Sequence, residues 1–255
     1  MPGGYGLPDA GRDTTDPSIR GARDVSRGVL ALVGGGEWTE GCSFDAELLE
    51  GVRRTPGADG SRPLVTVLPT AAAFEEPELA VERARGYFAG LGADVAVVDA
   101  LDRAGAEDRA LAEQVGSARF VYLASGSAMH LLSVLKRTKL WAAVQDAYHG
   151  GAVVAAAGTS AAVLCDAMVD PRGGGFGVGL GLVTRLTLIP RFDRWSAEKS
   201  RRTIELAPAG LALAGIPERT ALIREADGRW RVSGAGEVRL FKDRHPADLE
   251  ILTGV

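Results

Sequence analysis

At 255 residues, 46% hydrophobic and 24% charged, the chain has the balance of an ordinary globular protein and the length for one large α/β domain. A formal charge of −4 and a pI near 5.5 leave no basic surface, which excludes nucleic acid and anionic membranes as expected partners. No apolar run approaches the roughly 20 residues of a membrane-crossing helix, and the start, Met1-Pro2-Gly3-Gly4-Tyr5-Gly6, lacks the basic and apolar regions of a signal peptide.

Residues 1–27 are rich in Gly, Pro, Asp and Arg without apolar period and read as a flexible tail, leaving 28–255 as a single domain. From Gly28, apolar runs of strand length alternate with amphipathic helical stretches. The predicted order is a strand at 29–33, a helix near 44–54, a strand at 64–68, a helix over 77–91 and a strand at 95–98. A helix near 106–115, a strand at 120–123, two helical stretches within 128–148 and a strand at 153–157 follow, and the apolar segment 162–168 reads as one more helix. Continuous apolar strands separated by helices imply a parallel sheet covered on both faces. After residue 170 a Gly-rich segment (173–181) precedes a strand at 186–189, a helix over 196–206 and short strands at 221–224, 230–233 and 237–241. These later strands read as antiparallel additions, so the fold class is a three-layer α/β/α, flavodoxin-like domain with a mostly parallel sheet.

Cys42 and Cys165 have no metal-ligand spacing and read as reduced thiols of a cytoplasmic protein. Three histidines outside any His/Cys cluster argue against zinc, and no motif asks for another cofactor.

Ligands of open α/β sheets collect at the carboxyl ends of the parallel strands. Four loops fall there: Gly34-Gly35-Gly36-Glu37-Trp38, Pro69-Thr70-Ala71-Ala72-Ala73, Ala124-Ser125-Gly126-Ser127, and Gly158-Thr159-Ser160-Ala161-Ala162. The last joins strand to helix with Ser160 at the turn, as in a nucleophile elbow. A base is needed to activate such a serine. His149 precedes the strand at its amino end and His245 lies in a polar segment, so His130, opening the helix after strand four, is the topologically sensible histidine. Asp166 and Asp170 follow the elbow and could orient a base. Arg191, after the strand at 186–189, cannot act as a base but suits a carboxylate.

These residues resemble peptidases related to alpha-aspartyl dipeptidase and cyanophycinase, which have a class I glutamine-amidotransferase-like fold. The resemblance covers about 28–241 and rests on Gly34-Gly35-Gly36-Glu37, Leu68-Pro69-Thr70-Ala71, the strand and loop at 121–127, Gly158-Thr159-Ser160-Ala161, and Gly215-Ile216-Pro217-Glu218-Arg219-Thr220-Ala221. It implies Ser160 as nucleophile and an oxyanion hole from backbone N–H groups near Ser125, Gly126 and Ala161. It also implies Asp170 as the triad acid and metal-free cleavage of peptide or isopeptide bonds next to aspartate. Gly35, Gly36, Glu37, Arg191 and Glu218 are the candidate substrate-binding residues. Three departures fall on the machinery: the glycine loop reads Ala124-Ser125-Gly126, Ala162 stands for the elbow's second glycine, and Arg191 for the family histidine.

Three readings remain open. One is a divergent serine hydrolase acting on a peptide or amide bond, with His130 or a substrate group as base. Another is a non-hydrolytic tailoring enzyme whose Arg191 grips a carboxylate. The third is a pseudoenzyme that binds a peptide or a partner protein. Broad helical faces make a homodimer compatible with the fold.

Overall fold

The computed structural model describes residues 27–55 and 60–255, so the tail expected at 1–27 lies, but for Arg27, outside the described residues. Five strands form the parallel heart of the molecule: β1 (Leu30–Val33), β2 (Leu64–Leu68), β3 (Asp94–Val97), β4 (Phe120–Leu123) and β5 (Val153–Ala157). Their spatial order is β1-β5-β4-β2-β3, and β10 (Thr220–Arg224) and β11 (Trp230–Gly234) extend the sheet antiparallel beyond β1.

The strands read as continuous apolar runs because both faces are covered. Leu30 and Leu32 of β1 point into one core, while Ala31 and Val33 point into the other. The second core is closed by α1 (Ser43–Arg53) and α2 (Pro77–Gly90) through Phe44, Leu48, Leu49 and Phe88. The first is closed by α5 (Ala128–Leu135) and α6 (Lys139–His149) through Leu131, Leu135, Leu140 and Trp141. The single helix expected near 106–115 resolves into α3 (Arg103–Ala106) and α4 (Arg109–Gly116). Asp102 and Asp108 accept N–H bonds from Gly105 and Leu111, and each cap starts its own helix.

Two expectations are corrected. The segment 162–168 is not a helix: α7 spans only Thr159–Val163, and Ala167–Val169 forms β6, paired with β7 (Phe176–Val178). Tertiary hydrogen bonds take the backbone groups that a longer helix would use. Leu182 N–H and Val183 N–H donate to the Leu164 carbonyl at 2.9 and 3.1 Å, and Asp166 N–H donates to Val183 O at 2.8 Å. The later strands are also not all antiparallel. β8 (Leu186–Pro190) pairs in parallel with β9 (Ala212–Ile216), in register Leu186↔Ala212 to Pro190↔Ile216. Together with β12 (Arg239–Lys242) and β13 (His245–Ala247), both antiparallel, they form a second sheet ordered β13-β12-β9-β8. The helix expected at 196–206 is α8 (Ala197–Glu205), capped by the Ser196 hydroxyl, which accepts from Lys199 N–H at 3.2 Å.

Candidate active site

The two sheets meet at the carboxyl end of β1. Arg191, which follows β8, donates its N–H to Gly34 O at 2.8 Å, and Arg219, before β10, donates to Gly35 O at 2.7 Å. These bonds stitch the glycine loop after β1 to the ends of β8 and β9. A Cβ built on Gly35 would lie 2.9 Å from Arg191 Nε, so the guanidinium runs directly over that loop.

Residue placement at the elbow differs from the sequence expectation. The strained strand-to-helix residue is Gly158, at φ 55° and ψ −125°, between the last residue of β5 and the first of α7. That conformation is one that residues with a Cβ rarely adopt. Ser160 sits two residues further, inside the helix and fully buried, and its Oγ donates to Ala124 O at 2.6 Å. The hydroxyl that faces Gly158 belongs to Ser125: a Cβ on Gly158 would lie 2.3 Å from Ser125 Oγ. Ser125 therefore occupies the space a side chain at 158 would use.

The remaining candidates are dispersed. His130 Nε2 bonds Leu101 O at 2.8 Å, and its ring packs edge-on against Phe74 at 4.8 Å, so its hydrogen bond does not go to Ser160. Asp170 lies at the β6–β7 turn, where Arg172 holds it through Nε at 3.1 Å, Nη2 at 2.9 Å and the backbone N–H at 2.8 Å. Those bonds push its acid down to about 2, and none of them goes to Ser160 or His130. Of the expected oxyanion donors, Ser125 N–H is given to Glu37 Oε1 at 2.9 Å, Gly126 N–H points at Thr159 Oγ1 at 3.4 Å, and Ala161 N–H bonds Gly158 O at 3.2 Å. The Thr159 hydroxyl returns a bond to Gly126 O, tying the loops after β4 and β5 together. Thus Gly35, Glu37, Ser125, Gly126, Gly158 and Arg191 converge, with Gly36 in the same loop, whereas His130 and Asp170 serve other elements.

Charge in the site is shared rather than free. Glu218 Oε2 accepts from Arg194 Nη2 at 3.0 Å, its Oε1 stands 3.6 Å from Arg191 Nε, and its N–H is held by Asp193 Oδ1 at 2.9 Å. Arg191 is half-exposed and so available to a ligand, while Glu218 keeps it oriented.

Behind the glycine loop lies a buried polar group that sequence reasoning did not single out. Asp45 of α1 is fully buried, as is Tyr122 of β4, and neither the Asp45 carboxylate oxygens nor the Tyr122 hydroxyl finds a hydrogen bond. The nearby Tyr87 hydroxyl donates to Cys42 O at 2.9 Å. Burial pushes the Asp45 acid well up; the Tyr87 hydroxyl works against that and the Glu37 charge adds to it. Among the described residues no group of three or more His, Cys, Asp or Glu is placed to hold a metal, and both cysteines are free and buried.

Residues 30–228 match the model of peptidase family S51. The chain belongs to peptidase family S51. A crystal structure of a peptidase from an acI-B1 Actinobacterium superposes with a TM-score of 0.75 at 25% identity, covering 87% of this chain and 93% of that one. A putative peptidase E protein from Listeria monocytogenes EGD-e shares the fold, with a TM-score of 0.58 at 16% identity over 85% of this chain and 98% of that one. The S51 scaffold is therefore the mostly parallel, helix-flanked flavodoxin-like sheet expected from the sequence, and its kinship is with peptidase-like hydrolases. Among the described residues of this S51 chain, no helix is long and apolar enough to cross a membrane.

Proposed function

We propose that this S51 chain binds a carboxylate-bearing peptide or small metabolite at the loops after β1, β4 and β5, without serine-peptidase turnover. The observation that carries the reading is the elbow. Its strained residue, Gly158, has no side chain, and the hydroxyl of Ser160 is buried and committed to the Ala124 carbonyl. An elbow exposes its nucleophile because the nucleophile itself occupies the strained turn. A serine two positions later, inside the helix, presents its hydroxyl to the core.

The electrostatics favour binding over acyl transfer. Arg191 stands where the family resemblance calls for histidine, and a guanidinium does not take a proton at neutral pH. Loss of one triad member already costs several orders of magnitude in rate. A half-exposed guanidinium steadied by Glu218 offers instead a paired set of donors for a ligand carboxylate. The Ser125 hydroxyl above Gly158 adds a neutral donor and acceptor beside it.

The test is fluorophosphonate labelling read by intact mass. Wild type is expected to stay unlabelled. The triple variant Gly158→Ser, Ser125→Gly, Arg191→His is expected to gain a label at residue 158, since removing the Ser125 side chain clears the space the new serine needs. Labelling of wild type that Ser160→Ala abolishes would overturn the proposal and return Ser160 to the role of nucleophile.

A further inference from the structure

Next to the site, between α8 and the second sheet, runs a groove of about 860 Å³, a size typical of clefts that hold ligands. Its floor is apolar and aromatic: Phe192, Trp195, Ile204 and Phe241, with the Phe192 and Phe241 rings 6.3 Å apart. All four are only partly buried, so aromatic surface is left facing the opening. Phe192 and Asp193, the two residues after Arg191, line the groove, and the Asp193 carboxylate accepts from the N–H of Glu218, the partner of Arg191.

The charged residues of the groove are unequally engaged. Arg201 is paired with Glu205 at 2.8 Å, and Asp193 is spent on Glu218 N–H. The guanidinia of Arg239 and Arg244 and the carboxylate of Glu237 are exposed on the wall, and none of the three has an ion-pair or hydrogen-bond partner among the described residues. Arg244 is held there at a backbone cost. Asp243 and Arg244, at φ 49° and 72°, make the tight turn between β12 and β13, where Asn-Gly would be the unstrained choice. The Asp243 carboxylate fixes that turn by accepting Gly210 N–H at 2.8 Å. Strained residues that fix a side chain at the mouth of a cleft are a feature of ligand clamps.

We propose that the groove takes an aromatic side chain of a peptide ligand, while Arg239 and Arg244 bind a carboxylate of the same ligand. The occupant follows from the chemistry of the walls. Aromatic rings on the floor suit an aromatic side chain through area burial and edge-to-face contact, and two unpaired guanidinia against the single unpaired carboxylate of Glu237 leave an excess positive charge that suits an anion. The inference rests on the binding role proposed above, in that a second ligand carboxylate then meets Arg191.

The experiment is a fluorescence titration of the whole chain with the dipeptides Asp-Phe and Asp-Ala, using Trp195 as reporter and Trp195→Phe to assign the signal. Asp-Phe is expected to bind saturably and about tenfold more tightly than Asp-Ala, as the burial of an aromatic ring demands. Arg239→Glu/Arg244→Glu is expected to weaken Asp-Phe by about tenfold or more. Ala197→Trp, an exposed position that fills the mouth of the groove, is expected to abolish the difference between the two peptides. Equal affinities for the two peptides, unchanged binding in these variants, or no saturable signal with either peptide would overturn the groove assignment. So would concentration-dependent self-association that Ala197→Trp removes, because the occupant would then be a second copy. Arg191→Ala separates the two proposals. If it binds Asp-Phe like wild type while the groove variants fail, the reading of the candidate site falls and the groove stands; the reverse pattern removes the groove alone.

Discussion

Ser160 acts on stability through one hydrogen bond, and Gly158 acts through its backbone. Replacing Ser160 by Ala leaves the Ala124 carbonyl unpaired in a fully buried place, so a loss of about 1–3 kcal/mol is expected from chemical denaturation. A smaller loss together with a change in ligand affinity would instead assign the hydroxyl to binding. Gly158→Ala forces a Cβ into the φ 55° turn and to within 2.3 Å of Ser125 Oγ. The strain alone is worth about 1–3 kcal/mol. Combining it with Ser125→Gly is expected to recover part of the loss, since the clash then disappears while the strain remains; no recovery would mean that the Ser125 side chain is not what limits this position. The motif Gly158-Thr159-Ser160-Ala161 was legible in the sequence as an elbow, but its frame was not. Strain is a property of φ and ψ, and two glycine-like candidates separated by two positions, Gly158 and the serine-bearing turn expected at 160, look alike in letters. Ser125 likewise passes for a loop residue until its hydroxyl is seen over Gly158.

Whole elements are legible in the sequence where burial fixes their pattern. β1, β4 and β5 are buried on both faces, and their apolar runs mark them to within a residue. β9 is not legible in the sequence because Ala-Leu-Ala-Gly-Ile has small side chains and lacks β-branched residues until its end. Its strand state comes from partners on both sides, β8 and β12, which local propensity does not encode. Among the helices, α1 carries a consequence for pH. Asp45 is buried against Tyr122 with its acid raised well above the usual range by desolvation. The folded chain therefore binds this proton more tightly than the unfolded chain. Stability from this group is full below the unfolded carboxylate range and is lost as pH rises through the raised folded value. Asp45→Asn keeps the shape and removes the titration. Its melting temperature is expected to exceed that of wild type at alkaline pH, with the gap closing as pH falls toward 4. A gap that is constant across pH would show that folding leaves the Asp45 acid unshifted and would overturn this reading.

At the scale of the molecule, the question is whether the two sheets unfold together. Leu186 and Leu188 of β8, Ala212, Ala214 and Ile216 of β9, and Leu240 of β12 belong to the same buried cluster as Leu30 and Leu32 of β1. The candidate site adds backbone bonds across the same seam, from Arg191 and Arg219 to the glycine loop. With shared apolar packing and shared hydrogen bonds, 28–255 is expected to behave as one cooperative unit. Leu188→Ala tests this because its side chain is fully buried at the seam and its loss is worth about 2–5 kcal/mol. In a background where Trp38, Trp141 and Trp230 are replaced by Phe, with and without Leu188→Ala, the denaturation curves from Trp195 fluorescence, which then reports the second-sheet region, and from far-UV circular dichroism, which the first sheet and its helices dominate, are expected to coincide. The variant is expected to shift both midpoints equally with an unchanged slope. A Trp195 transition that runs ahead of the dichroism would divide the molecule into two units. It would make the Arg191 wall of the site a separately opening flap, a property that local unfolding gives to regions with few buried contacts. The apolar cluster is continuous across the seam, and that continuity argues for coincident transitions.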